Sequence, residues 1–405
     1  MVRVRVSTGA RLHFGFCNLS LARERLYGGL GVALREPQVA VTAEPDSAVR
    51  ADDRAVEEAA RAATSVLGVS GAVVEVEASY PRHVGLGSGT QLALATYAAI
   101  AGAHGIDPEV REHAPSLGRG GRSGVGVAAF ESGGFTLDVG HPARRFTSRR
   151  PADGAWDVPA TGARHDLPAD WRFVVIVPDL PPGKSGDAED EGMRTVVERA
   201  EPGIADEISR VVTDRLLPAV AEGDHDRFGA AVSEVGRLNG AWYTNEQGGI
   251  YRPPLGDVIE AMSASPVFSG VGQSSWGPTI YGVTTAERSE DGARAARDAL
   301  DASGLGEDRT GGERTEAKGA AAAPAAMVDR ATNTTADRSE RNRKGPPETR
   351  SIGPRRAIAH CWRSEWCLVA RRGPTATAAS GTGRGRPRGG FAVVRTTPKA
   401  PFGQR

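Results

Sequence analysis

PRHVGLGSGTQLALATYAAIAGAHG, Pro81 to Gly105, is the stretch on which the reading of this chain turns. It opens on a glycine-rich turn, Gly85-Leu86-Gly87-Ser88-Gly89, followed by Thr90. It continues as Leu92, Ala93, Leu94, Ala95, Tyr97, Ala98, Ala99, Ile100 and Ala101. A run apolar on all sides predicts a helix buried on most sides. Glycines let the backbone turn sharply and approach a ligand closely. The helix behind them offers unpaired N–H groups and the positive end of its dipole. Gly85, Leu86, Gly87, Ser88, Gly89 and Thr90 are therefore a candidate phosphate site. A plain strand–loop–helix joint would use the same letters. The lysine of a GxxxxGK[ST] loop is missing, which excludes that motif.

The chain has 405 residues, room for two ordinary domains. Its formal charge is zero but unevenly spread. Residues 309–405 hold 20 Lys+Arg against 7 Asp+Glu, and residues 1–308 hold 30 against 43. An acidic body argues against nucleic acid as its main partner. Cys17, Cys361 and Cys367 are too few and scattered for a disulfide framework. Neither a signal peptide nor an apolar membrane-length span is visible, so the expectation is a soluble, cytoplasmic body with no membrane partner.

Before the glycine loop, VRVRVSTGARLHFGF from Val2 alternates like a strand. Arg11 and His13 lie in it and could bind an anion or a carboxylate; a strand-end histidine satisfied by backbone is the plain alternative. A Gly28-Gly29 turn opens a hairpin-like segment, and Asp52 to Leu67 has helical spacing. GAVVEVEASYP is an alternating strand feeding the loop. After the buried run comes a second glycine cluster, Ser116 to His141, carrying Arg119, Arg122 and Ser123. No strand leads into it, so a dinucleotide fold is rejected. Two arginines on a glycine loop suit a phosphate or pyrophosphate; a solvated turn is the alternative.

WRFVVIVPDLPPG, from Trp171, reads as a buried strand. Lys184, the only lysine of residues 1–308, follows it, with Asp187, Glu189, Asp190 and Glu191 at a predicted helix start. These acids could also hold Mg²⁺. Helices are predicted over Glu191–Asn239. AWYTNEQGGIYRPPL, Ala241 to Leu255, reads as a polar-aromatic loop offering Gln247. FSGVGQSSWGPTIYGV, Phe268 to Val283, is a third glycine-rich signature with Gln273, Ser274, Ser275 and Trp276. Its hydroxyls and amide can donate hydrogen bonds, and Trp276 either stacks on an aromatic acid or caps the core.

PxxxGLGS heading a buried helix resembles the signature of the GHMP kinase superfamily. HVGLGSGTQ, RLHFGF…YGGLGVALREP, RGGRSGVGVAAFE and GQSSWGPT together resemble one branch, the β-ribofuranosylaminobenzene 5′-phosphate synthase family, over roughly residues 1 to 305. The resemblance implies an α+β, two-domain GHMP kinase-like fold. A ribosomal protein S5 domain 2-like N-terminal domain would span 1–160 and an α/β C-terminal domain 161–306. It also implies a phosphoribosyltransferase. Phosphoribosyl pyrophosphate would condense with 4-hydroxybenzoate or 4-aminobenzoate, losing pyrophosphate and CO₂, in methanopterin-type cofactor biosynthesis.

In that chemistry the Gly85–Thr90 loop, Arg119 and Arg122 would hold the pyrophosphate. Arg11 and His13 would grip the carboxylate or handle protons. Ser123, Gln247, Gln273, Ser274, Ser275 and Trp276 would contact substrate. Mg²⁺ is expected with the pyrophosphate, its ligands unassigned, and a homodimer is left open. The alternative is an ATP-dependent GHMP small-molecule kinase. Many such kinases carry S-G-x-D where this chain has Ser123-Gly124-Val125-Gly126, and glycine cannot polarise a hydroxyl. A non-catalytic ligand-binding relative is a third reading. Residues 307–405 are low in apolar content and read as a disordered basic tail. The closing strand usual in the family is not visible there. A reading frame shifted near Asp308 would explain this; a natural basic arm is the alternative.

Overall fold

The computed structural model describes residues 2–146, 152–184, 186–305, 318–320 and 327–332. The strands are β1 (Val2–Asn18), β2 (Arg25–Pro45), β3 (Arg50–Ala51), β4 (Ala72–Ala78), β5 (Phe135–Asp138), β6 (His141–Pro142), β7 (Thr161–His165), β8 (Trp171–Ile176), β9 (Gly270–Gln273), β10 (Ile280–Thr285), β11 (Lys318–Ala320) and β12 (Met327–Thr332). The helices are α1 (Arg54–Leu67), α2 (Ser88–Ala103), α3 (Val110–His113), α4 (Val125–Glu131), α5 (Asp187–Arg199), α6 (Pro202–Val211), α7 (Leu217–Glu222), α8 (His225–Gln247), α9 (Leu255–Ser263) and α10 (Ser289–Ala302).

An eight-stranded sheet runs β12-β1-β2-β4-β3, with β5 and β6 also paired to β2, and β7 to β5. Its backbone is the antiparallel pair β1–β2, whose register shifts between Gly9 and Arg11 and between His13 and Gly15. Bulges of this kind re-aim side chains. They flank the Arg11–His13 segment. The apolar run forms α2, which packs on β1, β2 and α1 and is buried on nearly every side. The helix is held by burial rather than by an amphipathic stripe.

The second sheet is β11-β8-β10-β9. Val174 and Ile176 of β8 and Ile280 of β10 pack with Val258, Ile259 and Met262 of α9 and with Ala296 and Leu300 of α10. Phe14 of β1 joins the two sheets. Its ring lies 6.4 Å from Phe173, 6.0 Å from Phe228 and 5.1 Å from Tyr281. The segment that carries Arg11 and His13 is thereby anchored in the core of both halves.

Three expectations change. First, β7 pairs with β5, so the first sheet runs past residue 160 to His165. Second, α8 continues through Ala241–Gln247, predicted as loop. Trp242 and Tyr243 are buried and extend the helix's apolar face, and Gly248 in the left-handed region ends it. Third, the closing strand is present beyond Asp308. Lys318–Ala320 pairs with β8 and Met327–Thr332 with β1, both antiparallel. Three residues of Lys-Gly-Ala carry no alternation, which is why the pattern hid them. The expectations for 306–317, 321–326 and 333–405 lie outside the described residues.

Truncation after Leu305 removes both strands and leaves β8 and β1 with unpaired edges. Its thermal midpoint is expected several degrees below that of a chain truncated after Thr332, read by circular dichroism.

Candidate active site

The chain enters α2 through Gly85 (φ +96°) and Gly87 (φ +78°). At Gly85 a Cβ would lie 2.3 Å from the carbonyl oxygen of Ser274, so only glycine fits. The loop is clamped from two sides. From β1, the Arg11 amide donates to Leu86 O (3.0 Å) and its guanidinium to Gly85 O (2.8 Å). From the third glycine signature, Ser274 Oγ donates to Gly85 O (2.7 Å), and Thr279 donates to Val84 O through Oγ1 (2.5 Å) and N (3.2 Å). The carbonyls that would repel an anion are thus occupied. Gly87, the N-cap of α2, supplies no side-chain cap, so the helix dipole meets the space ahead of it undiminished.

That space is a cavity of about 840 Å³ lined by Arg11, His13, Arg119, Arg122, Lys184 and the loop glycines. Arg119 Nη1 sits over the helix start, 3.5 Å from where a Cβ of Gly89 would be. Arg122 reaches Glu189 (3.4 Å) and Asp190 at the start of α5. Lys184 pairs with Glu246 at 2.8 Å. The wall beside β1 is aromatic. His13 and Phe16 rings are 4.9 Å apart, Phe16 and Tyr27 5.6 Å, and Tyr27 and Trp156 6.2 Å; all four line the cavity. Burial raises the Tyr27 pKa, and neighbouring Arg122 opposes the rise.

His13 is buried and neutral. Desolvation, with Arg11 adding like charge, pushes its pKa from 6.5 down to about 3. Its Nε2 lies 3.3 Å from Ser123 Oγ, and Ser123 Oγ donates to Asp138 Oδ2 at 3.1 Å. Asp138 is 1% exposed. Burial raises its pKa, while bonds from the amides of Gly140, Gly29 and Gly124 and from Ser123 oppose the rise.

Residues 54–134 match the GHMP kinases N terminal domain, and residues 216–304 match GHMP kinases C terminal. The β-ribofuranosylphenol 5′-phosphate synthase of Methanothermobacter thermautotrophicus is 32% identical over 301 residues, covering 70% of this chain and 89% of that one. The chain belongs to this synthase family. The synthase of the same name from Archaeoglobus fulgidus is 33% identical over 288 residues, covering 69% of this chain and 88% of its own length. Among solved structures, mevalonate diphosphate decarboxylase from Staphylococcus aureus aligns with TM-score 0.55 at 13% identity, covering 81% of this chain and 98% of that one. Homoserine kinase from Cytophaga hutchinsonii aligns with TM-score 0.52 at 18% identity, covering 81% and 97%. These establish the GHMP fold. Among the described residues, no helix is long and apolar enough to cross a membrane.

The synthase signatures converge on the one cavity, but not every residue faces it. Arg11, His13, Gly85, Gly87, Ser88, Gly89, Thr90, Arg119, Arg122, Ser123, Gln247, Gln273, Ser275 and Trp276 line it. Leu86 does not; its side chain is 2% exposed and packs in the core. Ser274 does not either. It is fully buried, and its hydroxyl accepts the His13 amide (3.0 Å) while donating to Gly85, so it is a strut rather than a substrate contact.

The amides of Gln247 and Gln273 donate to loop carbonyls, of Gly249 and Ile250 and of Ser275 respectively. Trp276 is wedged between Lys184, 5.2 Å above its ring, and the edge-on ring of Tyr243. It caps the core, and the aromatic wall at Phe16, Tyr27 and Trp156 is the better platform for a ring. That wall and Asp138 were missed in the sequence. Among the described residues, no cluster of three His, Cys, Asp or Glu is placed for a metal.

Ser274→Ala leaves the His13 amide and Gly85 carbonyl short of a buried partner. It is expected to cost about 1–3 kcal/mol in denaturant unfolding. His13 contributes an acid-side slope. Below pH 6.5 the unfolded chain binds a proton that the folded one refuses until about pH 3, so stability falls as pH drops through that window. His13→Gln is expected to flatten that slope in a plot of thermal midpoint against pH.

Proposed function

We propose that this chain transfers ribose 5-phosphate from phosphoribosyl pyrophosphate to the ring carbon of an aromatic acid, 4-hydroxybenzoate or 4-aminobenzoate. Pyrophosphate and CO₂ leave, and the product feeds a methanopterin-type cofactor. One observation carries the reading: a helix start without a side-chain cap, under Arg119, and an aromatic wall face the same cavity. Breaking the anomeric C–O bond builds positive charge on the sugar and negative charge on the pyrophosphate. Fixed amides and guanidinium groups, already oriented in a shielded site, stabilise that leaving charge without reorganising. A flat acceptor lies naturally against Phe16, Tyr27 and Trp156. Mg²⁺ would arrive on the pyrophosphate as part of the substrate, since it favours phosphate oxygens and few protein ligands.

The kinase alternative is weakened at Gly126. This residue lines the cavity but offers no carboxylate there. The family names of the synthases, which specify a ribofuranosyl 5′-phosphate product, support transfer to carbon of a phenol-type ring.

The test is release of labelled CO₂ from carboxyl-labelled 4-hydroxybenzoate or 4-aminobenzoate, with Mg²⁺ and phosphoribosyl pyrophosphate, beside an ATP-consumption control. Release that depends on phosphoribosyl pyrophosphate is expected. ATP turnover without CO₂ would instead assign a kinase. Arg119→Ala is expected to raise KM for the pyrophosphate donor by roughly 10- to 100-fold, the worth of one charge-assisted contact.

A further inference from the structure

We propose that Asp138, acting through Ser123, is the final acceptor of a proton that His13 takes from the 4-hydroxyl of the aromatic substrate. The three side chains form a relay in which the imidazole never becomes charged. The proposal rests on the transferase reading above and deepens it, favouring an acceptor with an ionisable hydroxyl.

The geometry is a continuous chain. His13 Nε2 is 3.3 Å from Ser123 Oγ, and Ser123 Oγ is 3.1 Å from Asp138 Oδ2. Both His13 and Ser123 line the cavity; Asp138 stands behind them, 1% exposed. The carboxylate is held by neutral donors, with Gly124 N on Oδ2 (2.8 Å) and Gly140 N on Oδ1 (2.9 Å). The contact between Ser123 and Asp138 is built into the backbone opposite. At Gly29 a Cβ would fall 2.1 Å from Ser123 Oγ and 2.8 Å from Asp138 Oδ2, so any larger residue would push the pair apart.

In the resting relay, Ser123 O–H donates to the Asp138 carboxylate and His13 Nε2–H donates to Ser123 Oγ. The free imidazole lone pair is then on Nδ1. When substrate reacts, its hydroxyl proton goes to Nδ1, the Nε2 proton to Ser123 Oγ, and the Ser123 proton to Asp138 Oδ2. Three bonds to hydrogen break and three form. No electrons change owner, and His13 ends neutral with its tautomer reversed. The aryl oxyanion drives electron density to the para carbon, which attacks the sugar. When CO₂ leaves, the proton runs back. Desolvation beside Arg11 opposes an imidazolium at His13, and burial makes Asp138 a better proton acceptor than an exposed carboxylate. Both shifts favour this route over a simple histidine base.

The test has two arms on the full chain. The first needs no substrate: ¹⁵N NMR of the histidine rings, with His13 assigned by its loss in His13→Gln. A neutral Nε2–H tautomer at pH 7 is expected, becoming a tautomer mixture in Ser123→Ala. An Nδ1–H tautomer or an imidazolium in the wild type overturns the relay whatever the enzyme's activity. The second arm is kinetic, with 4-hydroxybenzoate, on variants shown to be folded by their thermal transitions. Ser123→Ala and Asp138→Asn are each expected to lower kcat by roughly 100-fold, the usual worth of a positioned proton acceptor, with KM for both substrates little changed. The wild-type proton inventory in mixed H₂O and D₂O should be curved and become linear in both variants. A rise in KM with kcat intact, or an unchanged inventory, overturns the proposal. Absence of CO₂ release from wild type with the expected tautomer would count against the transferase reading and, with it, against the substrate hydroxyl as proton source.

Discussion

The hydroxyl of Ser274 is the joint on which this site depends. It accepts the amide of His13 and donates to the carbonyl of Gly85, and it is wholly removed from water. Three distant parts of the chain meet there: the bulged strand β1, the glycine loop before α2, and the turn after β9. A buried hydroxyl with both its donor and acceptor roles filled holds its neighbours in one geometry. The cavity walls inherit their positions from this joint. Arg11 braces the same loop from the other side, and the core contacts of Phe14 keep β1 from sliding.

Around that frame the charges are arranged in opposed pairs. Arg122 is met by Glu189 and Asp190, and Lys184 by Glu246. An anion entering here would have to exchange with these protein carboxylates. Such pairing would select a multiply charged anion over a singly charged one. His13, by contrast, is kept uncharged, which leaves the aromatic wall apolar.

What the sequence displayed and what it concealed follow from the range of the interactions. The glycine loop and α2 were legible because both depend on local chemistry: φ freedom at Gly85 and an unbroken apolar run from Leu92. The three signatures were legible as a set, and their convergence in one cavity followed. The part played by Ser274 was not, since its partners lie 189 and 261 residues away. Asp138 closes a short strand and looks like any turn aspartate until the fold sets Ser123 against it. Tyr27 opens the YGGLGVALREP signature and Trp156 sits in an unremarkable segment; only tertiary structure sets their rings together. The helical stretch from Ala241 was misread because polar residues share it with Trp242 and Tyr243, whose burial decides the matter.

The antiparallel pairing of β12 with β1 sets Val2 opposite Thr332. During synthesis β1 precedes the other described strands, yet it acquires its outer neighbour β12 only after all of them have been made. Until then its outer row of amides and carbonyls stands open to any extended chain. A contact spanning this much sequence also closes slowly. The nascent protein thus passes through a long interval in which this edge of β1 is adhesive, and a cell making it in quantity would have to shield that edge until β12 arrives.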